Sequence, residues 1–89
     1  MIETTTKYPK QTPVMARKIS ARREGLFIEM EDGKYLIPWN ECSTRLAAAK
    51  QYERLAIRIS PMNIGIHWPL IDEDLAVGPL VKGRKVEGN

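Results

Sequence analysis

Glu31-Asp32-Gly33-Lys34 lies between two stretches whose apolar residues alternate, Leu26, Ile28 and Met30 before it and Tyr35, Ile37 and Trp39 after it. Asp-Gly in that setting predicts a two-residue β-hairpin loop, because both central positions of the favoured turn need positive φ. With Asp32-Gly33 as the loop, Met30 faces Tyr35, Ile28 faces Ile37 and Leu26 faces Trp39. All of these share one face, which must be the core face, while Glu29 and Glu31 point away. Upstream, Ile19 and Ala21 alternate with polar neighbours. A turn at Glu24-Gly25 sets Ala21 beside Ile28 and Ile19 beside Met30, giving a three-stranded antiparallel meander.

Pro38 closes the third strand, and Asn40 or Ser43 can cap a helix running to about Arg54, with Leu46, Ala47 and Ala48 as its small apolar face. Leu55, Ile57 and Ile59 then alternate with Ala56, Arg58 and Ser60. After Pro61-Met62-Asn63, Ile64, Ile66 and Trp68 alternate with Gly65 and His67. A loop from Ser60 to Asn63 pairs Ile59 with Ile64, Ile57 with Ile66 and Leu55 with Trp68. A loop one residue shorter sets Ile57 against His67 and breaks the pattern. Pro69 ends the strand. Asp72-Glu73-Asp74-Leu75 reads as the acidic cap of a short helical turn stopped at Gly78-Pro79. The expected fold is α+β and two-layered: a three-stranded antiparallel meander, one helix, a two-stranded hairpin and a short C-terminal helical turn.

The 89 residues allow one small domain. Residues 1–13 are polar, with a threonine run and two prolines, and read as a disordered tail; residues 14–82 form the domain, and 83–89 a flexible basic tail. Hydrophobic content of 43% includes no apolar run near the roughly 20 residues that span a bilayer, and no signal peptide starts the chain. One cysteine excludes an internal disulfide and suits a reducing, cytoplasmic setting of bacterial type. One cysteine with one histidine also excludes the usual structural zinc sites.

The net charge is +3. Arg17, Lys18, Arg22 and Arg23 cluster near the start of the domain and could meet phosphates. No stacking aromatics are interleaved with them, so a charged, solvated edge strand is the preferred reading. No glycine-rich phosphate loop or nucleophile elbow is present. Cys42 has no second histidine or Cys-x-x-Cys to activate it and reads as a partly buried thiol near the helix start.

Residues Ile64 to Leu75 hold the one histidine, a tryptophan and three consecutive acids. His67 with Asp72, Glu73 and Asp74 could form a metal site or an acid–base pair. The strand alternation opposes this: if Trp68 faces the core, His67 faces out, on the side of Arg58. His67 is then a structural residue bonded to a carboxylate or carbonyl. The acids serve as caps, each worth about 0.3–1 kcal/mol, and can also offer a negative surface to a basic partner. No catalytic residue, metal or cofactor is expected. His67, Trp68, Asp72, Glu73 and Asp74 become candidates for contact with a partner, with Trp68 essential for folding and Glu73 for binding.

Gly65-Ile66-His67-Trp68-Pro69 followed by Asp72-Glu73-Asp74 resembles the C-terminal signature of a family of small bacterial proteins, domain of unknown function 2442. Glu31-Asp32-Gly33-Lys34 is similar to the family's Asp-Gly-Arg hairpin and Ile37-Pro38 to its Val-Pro strand end. Arg45-Leu46-Ala47 with Ala49 and Arg54 is similar to its helix and following turn, so the resemblance runs from about Ala16 to Gly83. Glu41, Cys42 and Ser43 stand where the family usually has aromatics and a proline, and Lys50-Gln51 where it often has Thr-Pro, which shifts the expected helix start. The resemblance implies an α+β fold and no established activity. Members tend to be encoded beside another small protein of unknown function, as toxin–antitoxin pairs are. Some carry a further helix-turn-helix domain, for which 89 residues leave no room.

The expectation is therefore a non-enzymatic protein-binding domain, the antitoxin-like member of a pair. Its partner would be another small protein or a second copy, met at the Trp68 to Asp74 corner or at an exposed sheet edge. A nucleic-acid-binding or transcription-regulating role through Arg17, Lys18, Arg22 and Arg23 is the alternative. No membrane partner is expected.

Overall fold

The computed structural model describes residues 14–84 and residue 86; the N-terminal tail expected over 1–13 lies outside them. The chain forms strands β1 (Lys18–Ala21), β2 (Gly25–Met30) and β3 (Gly33–Pro38). Short helices α1 (Trp39–Cys42), α2 (Thr44–Ala47) and α3 (Gln51–Leu55) follow. The second half holds β4 (Arg58–Ile59), a 3-10 turn over Pro61–Asn63, β5 (Gly65–Trp68), β6 (Glu73–Ala76) and α4 (Val77–Val81). Two three-stranded antiparallel sheets, β1-β2-β3 and β4-β5-β6, make the fold α+β, as expected.

The first meander has the expected faces and a different register. Ile28 pairs with Tyr35 and Leu26 with Ile37, while Ile19 pairs with Ile28 and Ala21 with Leu26. Each pairing is two residues from the expected one, and a slip of two leaves every side chain on its own face. The turn lies at Glu31-Asp32, neither of which has positive φ, and Gly33 at φ 146° absorbs the awkward exit as the first residue of β3. The Tyr35 hydroxyl donates to Asp32 Oδ2 at 3.0 Å, tying the turn to the strand. At the other turn the Arg22 N–H donates to the Gly25 carbonyl at 2.9 Å, so Arg23-Glu24 is the bend and Gly25 opens β2.

The single expected helix is three. Ser43 adopts an extended backbone that ends α1, and its hydroxyl accepts from the Leu46 N–H at 3.1 Å to cap α2. Lys50 is likewise extended, and its N–H donates to Glu53 Oε1 at 2.8 Å at the start of α3. Arg54 folds back, with Nε on the Leu46 carbonyl and Nη2 on the Ala47 carbonyl, satisfying the end of α2. Capping by these side chains overrides the helix propensity of Ala47-Ala48-Ala49.

The second hairpin is also displaced by two: Ile59 pairs with Ile66, and Arg58 with His67. Ser60 sets this loop by donating its N–H to the Gly65 carbonyl and accepting the Gly65 N–H on its hydroxyl. Met62 and Asn63 take left-handed conformations within it. The expected acidic helical cap is absent. Pro69–Asp72 is a turn in which Asp72 has φ 53°, and Glu73–Ala76 is a third strand, so the expected hairpin becomes a sheet. Asp tolerates that left-handed position better than most residues. Gly78 and Pro79 lie inside α4 rather than ending a helix.

One core serves both sheets: Leu26, Ile28 and Ile37 from the first, Ile66 and Trp68 from the second, and Leu46 from α2, all fully buried. Trp39 and Trp68 meet edge to face at 6.2 Å between ring centroids. Both indoles are buried with their N–H groups satisfied, Trp39 by the Arg22 carbonyl and Trp68 by the Arg54 carbonyl.

Candidate functional site

The acidic segment is distributed around β5 and β6. Strand pairing sets His67 beside Asp74 and Trp68 beside Glu73, so Asp74 is on the outer face and Glu73 on the tryptophan side, while Asp72 sits exposed in the turn. Sequence reasoning expected a carboxylate or carbonyl on His67 but held none of the acids on a strand beside it, because it placed them in a helical turn. His67 Nδ1 and Asp74 Oδ1 are 2.9 Å apart, which supplies the carboxylate bond expected of a structural histidine. Trp68 is fully buried and supports the corner from within, out of a partner's reach. Arg45, not singled out as a site residue, holds the turn: its Nη1 donates to the Ile71 carbonyl at 3.1 Å and the Asp72 carbonyl at 3.0 Å.

His67, Asp72 and Asp74 each offer one ligand atom, all within 4.8 Å of one another. An imidazole with two carboxylates suits a first-row divalent cation. Arg58 stands directly across from His67 on β4, and a cation there raises the cost of a second positive charge. Outer-face charge thus runs Arg58, His67, Asp74 across the three strands, a row that becomes visible only in the true register.

All four residues of the basic cluster are exposed. Lys18 pairs across the strands with Glu29, and the Arg22 guanidinium lies 4.0 Å over the ring of Phe27, a buried residue outside the main core. Arg17 and Arg23 are exposed. Of the basic C-terminal stretch, Arg84 donates to the Leu80 carbonyl and pairs with Glu41 at 2.8 Å.

Burial pushes the Cys42 thiol up to about 11, against smaller opposing effects of Arg84 and a backbone bond. Cys42 is therefore expected to resist iodoacetamide at pH 8, with alkylation followed by mass spectrometry rising only above about pH 10. A folded pKa above the unfolded value also makes stability fall as pH rises from about 9 toward 11, because only the unfolded chain ionises there.

Exposed apolar residues gather elsewhere. Tyr52 (63% exposed) and Leu55 (45%) on α3, Ile59 (39%) on β4 and Met62 (69%) in the 3-10 turn fall within eleven consecutive residues. Among the described residues β4 is an edge strand, paired with β5 alone. Sequence alternation made Leu55 and Ile59 core residues; β4 contributes two residues to the sheet, and the core leaves their flanks open. Among the described residues no helix is long and apolar enough to cross a membrane.

The family model described as "Protein of unknown function (DUF2442)" matches residues 16–86. A crystal structure of a protein of unknown function from Rhodospirillum rubrum is similar over 83% of this chain and 90% of its own, with 25% identity and a TM-score of 0.65. No curated protein matches the chain.

Proposed function

The chain belongs to the DUF2442 family, and on that premise we propose that it is a non-enzymatic, cytoplasmic domain that binds another small protein, as the antitoxin-like member of a pair. The observation that carries this reading is the edge of β4, unpaired among the described residues, which carries exposed Ile59 and is flanked in sequence by exposed Tyr52, Leu55 and Met62. Scattered surface apolar residues need no explanation, but a concentration beside an unpaired strand edge is a familiar mark of association. The corner of Asp72, Glu73 and Asp74 then acts as a neighbouring acidic rim. Glu73 has less reach than its position in the sequence suggested, because it lies on the tryptophan side of β6 and accepts the Asp74 N–H.

Affinity purification of the tagged chain from its native host is expected to retain one partner in stoichiometric amount. Ile59→Lys is expected to lose that partner while melting within a few degrees of the parent, since Ile59 lies at the edge of the core. Reproducible absence of any stoichiometric partner contradicts the proposal.

A further inference from the structure

We infer that the partner segment is an extended strand that adds to β4, with an acidic side chain opposite Arg58 and an aliphatic one opposite Ile59. This rests on the protein-binding reading above and specifies its chemistry.

The sheet carries two complete cross-strand rows that stop at β4. On the outer face the row is Asp74, His67, Arg58; on the core face it is Leu75, Ile66, Ile59. Rows in a sheet repeat at about 4.8 Å, so a fourth strand places one residue at the end of each. Along the core-face row Leu75 is partly buried, Ile66 fully buried and Ile59, at the end of the row, 39% exposed. A fourth strand with an aliphatic side chain at that place continues the core.

The outer row ends on a positive charge. Arg58 is exposed and has no hydrogen-bond or ion-pair partner among the described residues. Its cross-strand neighbour His67 is bonded to Asp74. Asp74 itself stands two strand spacings away, about 10 Å, which is about one Debye length in 0.1 M salt. An acid in the fourth strand would stand one strand spacing from Arg58, half the backbone separation of Asp74. The chain's net charge of +3 favours the same sign of partner.

The backbone is ready for the addition. Ser60 exchanges its hydrogen bonds with Gly65, so in the antiparallel alternation Arg58 points its backbone groups at β5 and Ile59 points its own away. Among the described residues the Ile59 N–H and C=O thus have no strand partner and form the edge that a strand would pair with. Self-pairing of β4 centred on Arg58 would bring two arginines together, and self-pairing centred on Ile59 would set each Arg58 opposite a Ser60, so neither register of a second copy supplies the carboxylate that an acidic strand would.

The test uses the full chain, isotope-labelled, and two synthetic peptides, one alternating Asp with Val and its counterpart alternating Lys with Val. The Asp/Val peptide is expected to shift the Arg58, Ile59 and Ser60 amide resonances, to bind at least tenfold tighter than the Lys/Val peptide, and to weaken as salt rises. Arg58→Glu is expected to reverse the preference, and the tryptophan fluorescence of Trp39 and Trp68 verifies that this variant is folded. Equal affinity for the two peptides overturns the inference, as do shifts confined to β1 or β3. Peptide-independent, concentration-dependent shifts at Ile59 would instead identify a second copy as the occupant and also overturn it. If a native partner co-purifies equally well with Arg58→Glu, the inference fails and the protein-binding reading stands; if no partner co-purifies at all, that reading fails first.

Discussion

Trp68→Ala is expected to leave the chain largely unfolded at room temperature. Truncating a buried tryptophan costs about 3–5 kcal/mol, and a domain of this size has a total stability near the low end of about 5–15 kcal/mol. Several losses coincide at this residue. The ring is fully buried where the two sheets meet, its edge-to-face contact with Trp39 disappears, and the Arg54 carbonyl loses its donor. Arg54 also holds the end of α2, so the damage spreads to the helices. Urea denaturation followed by the fluorescence of the remaining Trp39 should show little or no folded baseline. Trp68→Phe separates the parts: it keeps most of the apolar area and drops the N–H, and should cost about 1–3 kcal/mol. A folded baseline for Trp68→Ala comparable to the parent would contradict the central place given to this side chain.

Gly25→Ala is expected to cost about 3 kcal/mol or more, far above the usual effect of adding one methyl group. A Cβ at Gly25 would lie 2.2 Å from the Ile37 carbonyl oxygen and 2.8 Å from its carbon. Both are backbone atoms of β3, so no side-chain rotation relieves the contact, and the Gly25–Pro38 pairing must open. Gly83→Ala is the control. Its Cβ would meet nothing within 4 Å, and the penalty is the left-handed φ of 77°, about 1–2 kcal/mol. Urea midpoints of the two variants should differ clearly, with Gly25→Ala the lower. The reverse order would mean that β2 does not approach β3 as closely as the structure has it.

The sequence made faces legible and registers illegible. Leu26, Ile28, Ile37, Ile66 and Trp68 all face the core as their alternation required. A displacement of two residues preserves that alternation, so hydrophobic pattern alone has no power to exclude it. What decided register was short-range chemistry: Gly33 after the turn, the Ser60 hydroxyl on Gly65, and the missing Cβ at Gly25. The same displacement hid the Arg58–His67–Asp74 row, since the expected pairing set Arg58 two residues away from His67. The acids were read as helix caps because three carboxylates before an apolar residue suit a helix start. A left-handed Asp72 and the grip of Arg45 on two turn carbonyls make Asp72 a turn residue and Glu73 and Asp74 the start of a strand instead. Arg45 and Arg54 act through backbone carbonyls distant in sequence, contacts that no local pattern announces.

Among the described residues both sheets pair strands only with their neighbours along the chain. In kinetic terms, each hairpin closes a short loop at small entropic cost, and no ladder has to wait for a distant segment. The helices, none longer than five residues, are too short to persist alone. The costly event is therefore the docking of one meander on the other, when Trp39 first meets Trp68. Until that moment β4 has no core to sit against, so this edge, where the proposed partner would add, is the last part of the sheet to take shape.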